Sequence, residues 1–112
     1  RLRAQVAKKT DETLAPYDAV VAPARRSPAS PIDQEFRKIS SGSSRDIMGA
    51  VGNCAGLPSI GVPNGFTDIG LPTGIQFMGR AYAENNIIAI ARTYQSMTHW
   101  HLKHPPKLMP EA

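Results

Sequence analysis

The stretch from Gly52 to Gly79 constrains this chain most. Gly52-Asn53-Cys54-Ala55-Gly56-Leu57-Pro58-Ser59-Ile60-Gly61-Val62-Pro63-Asn64-Gly65-Phe66 is followed, after three residues, by Gly70-Leu71-Pro72-Thr73-Gly74-Ile75-Gln76-Phe77-Met78-Gly79. Two short apolar runs stand between glycines, which admit positive φ and close backbone approach, and prolines, which fix φ and remove a donor. Strands clamped between such bends hold positions; they do not make a flexible linker. Ser59-Ile60-Gly61-Val62 reads as one strand and Thr73 to Met78 as a second. In the second, Thr73, Ile75 and Phe77 share one face, Gln76 and Met78 the other.

The flanking sequence supplies the other layers. Arg1 to about Ala15 has helical character, with Leu2, Val6 and Leu14 on one side, and Pro16 stops it. Asp18-Ala19-Val20-Val21-Ala22-Pro23 is an apolar run suited to a buried strand. From Ala24 to Ser44 the composition turns to Pro, Ser and Arg. A loop of that length is either functional or ordered by neighbours outside the chain. Ser43 or Ser44 can cap a helix over Arg45 to Ala55, with Asp46 in its first turn and Ile47, Met48, Val51, Cys54 and Ala55 on one face. Gly49 and Gly52 each weaken that helix by about 1 kcal/mol, which points to close packing against another backbone.

A last helix is expected from about Ala83 to Thr98, with Glu84 in its first turn and an apolar stripe of Ile87, Ile90, Ala91, Tyr94 and Met97. The proline-rich stretch from Trp100 to Ala112 reads as a tail running over a surface. Three strands and three helices make an α/β piece whose sheet has unpaired edges. Strands beyond this chain are the simplest partners for them.

Composition narrows the classes. With 112 residues, 41% hydrophobic and 20% charged, the chain fits one folded unit at most. No run of about 18 apolar residues suggests a membrane span, and no signal-peptide pattern appears. The single cysteine excludes an internal disulfide and fits a reducing cytoplasm, the expected location. The net charge of +4 is scattered in pairs (Lys8-Lys9, Arg25-Arg26, Arg37-Lys38) without interleaved aromatics, so it reads as solvated surface charge. Neither a nucleic-acid nor a membrane partner is expected, and no cofactor. Because the chain opens on Arg1 inside a helical pattern, it reads as a piece of a longer polypeptide.

Several residues could carry chemistry. Ser40-Ser41-Gly42-Ser43-Ser44 offers hydroxyl nucleophiles, but a nucleophilic serine needs a base within hydrogen-bond reach and none is identifiable; a loop with a helix cap is the better reading. Cys54 sits late in a helix among apolar neighbours, away from the end whose dipole would activate a thiol, and reads as a small core residue. His99, His101 and His104 have a spacing a metal could use but lack a carboxylate or cysteine partner, so no metal site is assigned. Ser43, His99 and Asp46 can be assembled into a triad on paper only. No catalytic residue is assigned within the chain.

The same glycine–proline block resembles the C-terminal part of the amidase-signature enzymes, which read Asn-x-x-Gly-x-Pro, a short strand, Pro-x-Gly-Phe, Gly-Leu-Pro-x-Gly-x-Gln, then Gly-Arg before a final helix. The resemblance is strongest from Asp46 to Arg80 and extends back to Tyr17-Asp18-Ala19-Val20-Val21-Ala22-Pro23, where the family's Thr after the proline is replaced by Ala24. It implies an α/β fold, a fragment of the amidase-signature mixed sheet covered by helices, with residues 1–112 forming the C-terminal segment of an incomplete domain. It further implies a parent enzyme that cleaves a carboxamide C–N bond through an acyl-serine intermediate. That family's Ser–cis-Ser–Lys relay lies upstream, and its Gly-Gly-Ser-Ser-Gly-Gly stretch is not matched by Gly42-Ser43-Ser44.

The resemblance also gives Asp46 a role. Acidic residues at this offset from Asn-x-x-Gly-x-Pro lie near the bound amide in the A subunits of tRNA-dependent amidotransferases, so Asp46 would hold a positively charged group of a small amide substrate. A carboxylate serving only the first turn of its helix is the competing reading. Asn53 and Gln76 would brace backbone near the pocket. The expected partners are the remainder of the amidase chain and, in isolation, a second copy paired through a strand edge. Two other classes are left open: the A subunit of a tRNA-dependent amidotransferase, and a stand-alone binding or scaffold module.

Overall fold

The computed structural model describes residues 1–25, 27–34 and 47–104. In chain order these form helix α1 (Leu2–Leu14), strand β1 (Val20–Pro23), helix α2 (Ile47–Ala55), strand β2 (Ser59–Phe66), strand β3 (Pro72–Met78), helix α3 (Glu84–Ser96) and a 3-10 turn at Trp100–Leu102. The strands make one antiparallel sheet in the order β1-β3-β2. β3 is therefore the central strand, and it comes from the glycine–proline block.

The alternation read along β3 sets the layers. Phe77 lies opposite Val21 on one side and Ile60 on the other, while Ile75 lies opposite Val62. Val62 and Phe77 pack with Ile87 and Ala91 of α3 into the core, and Ile60, Ile75, Ile90 and Tyr94 close around it. The Phe77 and Tyr94 rings meet at 6.0 Å between centroids. On the opposite face Met78 meets α2, where a Cβ on Gly52 would stand 2.5 Å from the Met78 methyl. The glycine in α2 thus permits close packing as expected, against a side chain rather than a backbone.

Gly56 ends α2 with φ +72°, and the Leu57 amide behind it donates to the Gly52 carbonyl at 2.9 Å. This is the left-handed cap that glycine makes without a Cβ penalty. Gly79 lies just past β3, where a Cβ would stand 2.8 Å from Ile87. That spacing brings the start of α3 directly onto the sheet.

Three expectations are corrected. β2 does not stop at Val62; it continues to Phe66, with a register shift between Pro63 and Gly65. The Gly79 amide donates to the Pro58 carbonyl, so alternation turns Ile60 and Val62 toward β3 and Pro63 outward, where its missing N–H costs the ladder nothing. Met97 is 71% exposed because α3 ends at Ser96, one residue short of the expected stripe. Trp100 is no free tail: its ring packs edge-on against Phe66 at 6.2 Å.

The apolar side of α1 is the fourth departure, with Leu2 78% and Val6 39% exposed. Polar contacts hold this helix instead. Arg3 donates from Nε to the Cys54 carbonyl at 2.9 Å and from Nη2 to the Asn53 carbonyl at 3.1 Å. These carbonyls belong to the last turn of α2, which has no following turn to bond them.

Candidate wall of a substrate pocket

The segment leaving β1 and the start of β3 enclose a hollow of about 560 Å³, lined by residues that include Ala24, Arg25, Ser27, Pro28, Thr73 and Gly74. Its floor is held by backbone: the Ala24 amide donates to the Gly74 carbonyl at 2.8 Å. A Cβ on Gly74 would press on Ala24 at 3.1 Å and on the Val62 carbonyl at 3.3 Å, so glycine lets the three strands close at this point. Ala24 lines the hollow with a methyl group where the family resemblance has a threonine hydroxyl.

Gln76 spans the sheet beside it. Its Nε2 donates to the Pro23 carbonyl at 3.3 Å and its Oε1 accepts from Ser59 Oγ at 3.4 Å, so one side chain on β3 ties β1 to β2. Thr73 Oγ1 donates to Asn64 Oδ1 at 2.8 Å across the irregular part of the hairpin. Gln76 therefore does brace the backbone as expected. Asn53 is exposed, and it is its own carbonyl that is held, by Arg3.

Asp46, Ser43 and Ser44 lie outside the described residues, and so does the expected cap of α2. Cys54 is half-buried. Among the described residues the bonded hydroxyls meet only backbone carbonyls, one backbone amide (Leu71 N–H, which Thr67 Oγ1 accepts) and amide side chains, so no base-activated nucleophile is assembled there. Also among the described residues, no three His, Cys, Asp or Glu side chains gather in a metal-binding group, and His99, His101 and His104 stay apart in that sense. No described helix is long and apolar enough to cross a membrane.

One polar pair is not visible from the sequence. Arg80 donates from Nε and Nη2 to the two carboxylate oxygens of Asp11 at 2.8 and 3.0 Å, joining the turn before α3 to α1. The hydrogen bond from Arg80 holds the Asp11 carboxyl below its ordinary value, and the same contact raises the Arg80 guanidinium. Both side chains are nearly half exposed. The Gly79-Arg80 dipeptide stands out in the sequence, but its partner lies 69 positions away and no local pattern links them.

The sequence model of the amidase family matches residues 1–88. The A subunit of glutamyl-tRNA(Gln) amidotransferase from Methanosarcina mazei is 36% identical over 108 residues, which is 96% of this chain and 22% of the relative. Its counterpart of the same name from Legionella pneumophila is 35% identical over 95 residues, covering 85% of this chain and 20% of its own. Among solved structures, the A subunit of the Thermotoga maritima glutamyl-tRNA(Gln) amidotransferase superposes with a TM-score of 0.72 at 33% identity, over 84% of this chain and 20% of that one. PAM12A gives a TM-score of 0.70 at 30% identity, covering 96% and 22%. The chain belongs to the amidase family. It spans about a fifth of the length of the relatives it matches.

Proposed function

We propose that residues 1–112 are the C-terminal segment of an amidase-signature domain whose intact enzyme cleaves a carboxamide C–N bond through an acyl-serine intermediate. The observation that carries this reading is the extent of the match: nearly the whole chain aligns, but to only about a fifth of each relative. In this reading the serine–serine–lysine relay stands in the remaining part, and this segment contributes the β1–β3 hollow as a wall of the substrate pocket. The segment alone is inactive, and its free strand edges pair with a second copy when no other partner is present. The intact protein works in the cytoplasm.

A second reading has a specific observation in its favour. The relatives from Methanosarcina and Legionella are named as A subunits of an amidotransferase, so the parent chain can be read as one that releases ammonia for transfer to a tRNA-borne substrate. In both readings Asp46 holds the substrate's charged amino group. Asp46→Asn in the intact enzyme should raise KM about ten- to a hundredfold for amides with an α-amino group, the equivalent of one charge-assisted contact of about 1.5–3 kcal/mol. Uncharged amides should be nearly unaffected. Steady-state kinetics on a matched amide pair checks this; equal loss on both substrates, or none on either, removes Asp46 from the site.

A further inference from the structure

The hairpin that joins β2 to β3 and the 3-10 turn at Trp100–Leu102 enclose a hollow of about 480 Å³. It is lined by residues that include Pro63, Phe66, Pro72, Trp100, Lys103 and His104. The volume falls within the range of small-molecule sites, roughly 300–1,000 Å³. Its apolar wall is aromatic. The Phe66 and Trp100 rings meet edge-on at 6.2 Å between centroids, an arrangement that covers neither face completely. Phe66 is accordingly 50% exposed and Trp100 37%.

Gly65 keeps that wall open. Its φ of +149° is one that glycine adopts without strain, and a Cβ there would already stand 4.0 Å from the Trp100 ring. Any longer side chain at this position would crowd the same ring. The rigid rings of Pro63 and Pro72 hold the hairpin side.

The charge lies on one side of the hollow only. The Lys103 amide donates to the Trp100 carbonyl at 3.1 Å, so the ammonium stem and the indole rise from one turn. Lys103 and His104 are both exposed. Among the described residues no carboxylate lines the hollow, and none pairs with Lys103. Bare aromatic faces beside an unpaired ammonium fit a ligand with a flat apolar body and an anionic head. An inorganic anion would leave the apolar wall unused, and a cation would meet the ammonium at the rim. Because that rim is wet, a carboxylate can reach Lys103 without losing its hydration.

We propose that this hollow binds a small aromatic carboxylate, with its ring against Phe66 and Trp100 and its carboxylate facing the Lys103 ammonium and the His104 imidazole. The site stands on its own geometry and does not depend on the amidase reading.

Trp100 is the sole tryptophan of the chain, so its fluorescence reports on the hollow directly. Titration with hydrocinnamate at neutral pH should change that emission saturably, with a Kd at or below about 1 mM. Hydrocinnamyl alcohol keeps the ring without the charge and should bind at least about tenfold more weakly. Acetate, the head without the ring, should leave the emission unchanged. Lys103→Met combined with His104→Leu should erase the preference by weakening the acid alone; both residues are exposed and lie outside any helix or strand. Phe66→Ala should weaken acid and alcohol alike. Equal affinity for acid and alcohol in the parent chain overturns the proposal, as does the absence of a saturable change with the acid. A change that survives both sets of substitutions overturns it too. So does saturation that appears only after residues 105–112 are removed, since the end of the chain then occupies the hollow.

Discussion

Gly79 and Gly52 both sit against a buried side chain, and the difference between those side chains decides what an added methyl group does. At Gly79 the obstacle is Ile87, 3% exposed and β-branched, so it cannot turn aside. Gly79→Ala should destabilise by about 1–3 kcal/mol, as overpacking does. At Gly52 the obstacle is the far end of Met78, a flexible thioether that can move. The alanine also gains helix propensity of about 1 kcal/mol there, so Gly52→Ala should stay within about 1 kcal/mol of the parent. Urea midpoints for the two variants check the contrast; equal losses would show that Met78 has no room to rearrange.

This scale is the least legible in the sequence. Period-2 and period-3.6 patterns name faces, and they correctly place Phe77 and Ile87 on facing sides of one interface. They carry no information on which distant polar groups meet. Arg3 bonding the end of α2, Gln76 spanning three strands and Asp11 meeting Arg80 are all products of tertiary closure.

At the scale of the elements, α1 is the one held by polar contacts more than by its apolar side, and this gives it a pH signature. The Asp11 carboxyl is held below its ordinary value by Arg80, so its folded value is lower than its unfolded one. The contribution is therefore fully present above the unfolded value of about 3.9 and is lost as pH falls through the folded value. The stability difference between the parent chain and Asp11→Asn should be constant near neutrality, shrink below about pH 4, and disappear once Asp11 is protonated. Because the pair is exposed, added salt should shrink it as well. Denaturant titrations across pH measure this. A difference unchanged by both acid and salt would mean that Asp11 acts through packing.

Element existence is readable because each helix and strand carries its own period and its own punctuation. Boundaries fail where one signal has two meanings. Pro63 marks the end of a strand in a central position and is harmless at an outward edge position; the sequence has no means of saying which edge it occupies. Met97 continues the stripe of α3 by spacing alone, but the chain leaves the helix at Ser96 before it can be covered.

At the scale of the molecule, the core among the described residues is thin. Val62, Phe77, Met78, Ile87 and Ala91 are its buried hydrophobics, and no side chain falls below 2% exposure. Leu2, Tyr17, Val21 and Ile47 stand exposed on the other side of the sheet or at its open edge. A chain that belongs to the amidase family, spans a fifth of its relatives and leaves this much apolar surface uncovered reads as one section of a larger core. The family is legible from the glycine–proline block, because strands fixed by bends leave a sequence imprint that variable surfaces do not. The substrate contact is legible only through that resemblance: Asp46, the residue given a substrate-binding role, has no local pattern that separates it from a first-turn helix carboxylate, and it lies outside the described residues.

The most direct measurement is amide hydrolysis by the purified 112-residue chain, followed as ammonia release from a simple carboxamide and from glutamine. The proposed function places the acyl-serine machinery beyond this chain and so predicts a rate equal to that of buffer alone, in keeping with the lack of a base-activated nucleophile among the described residues. Turnover above background that disappears with Ser43→Ala or Cys54→Ala would place a catalytic centre inside these residues and contradict the account.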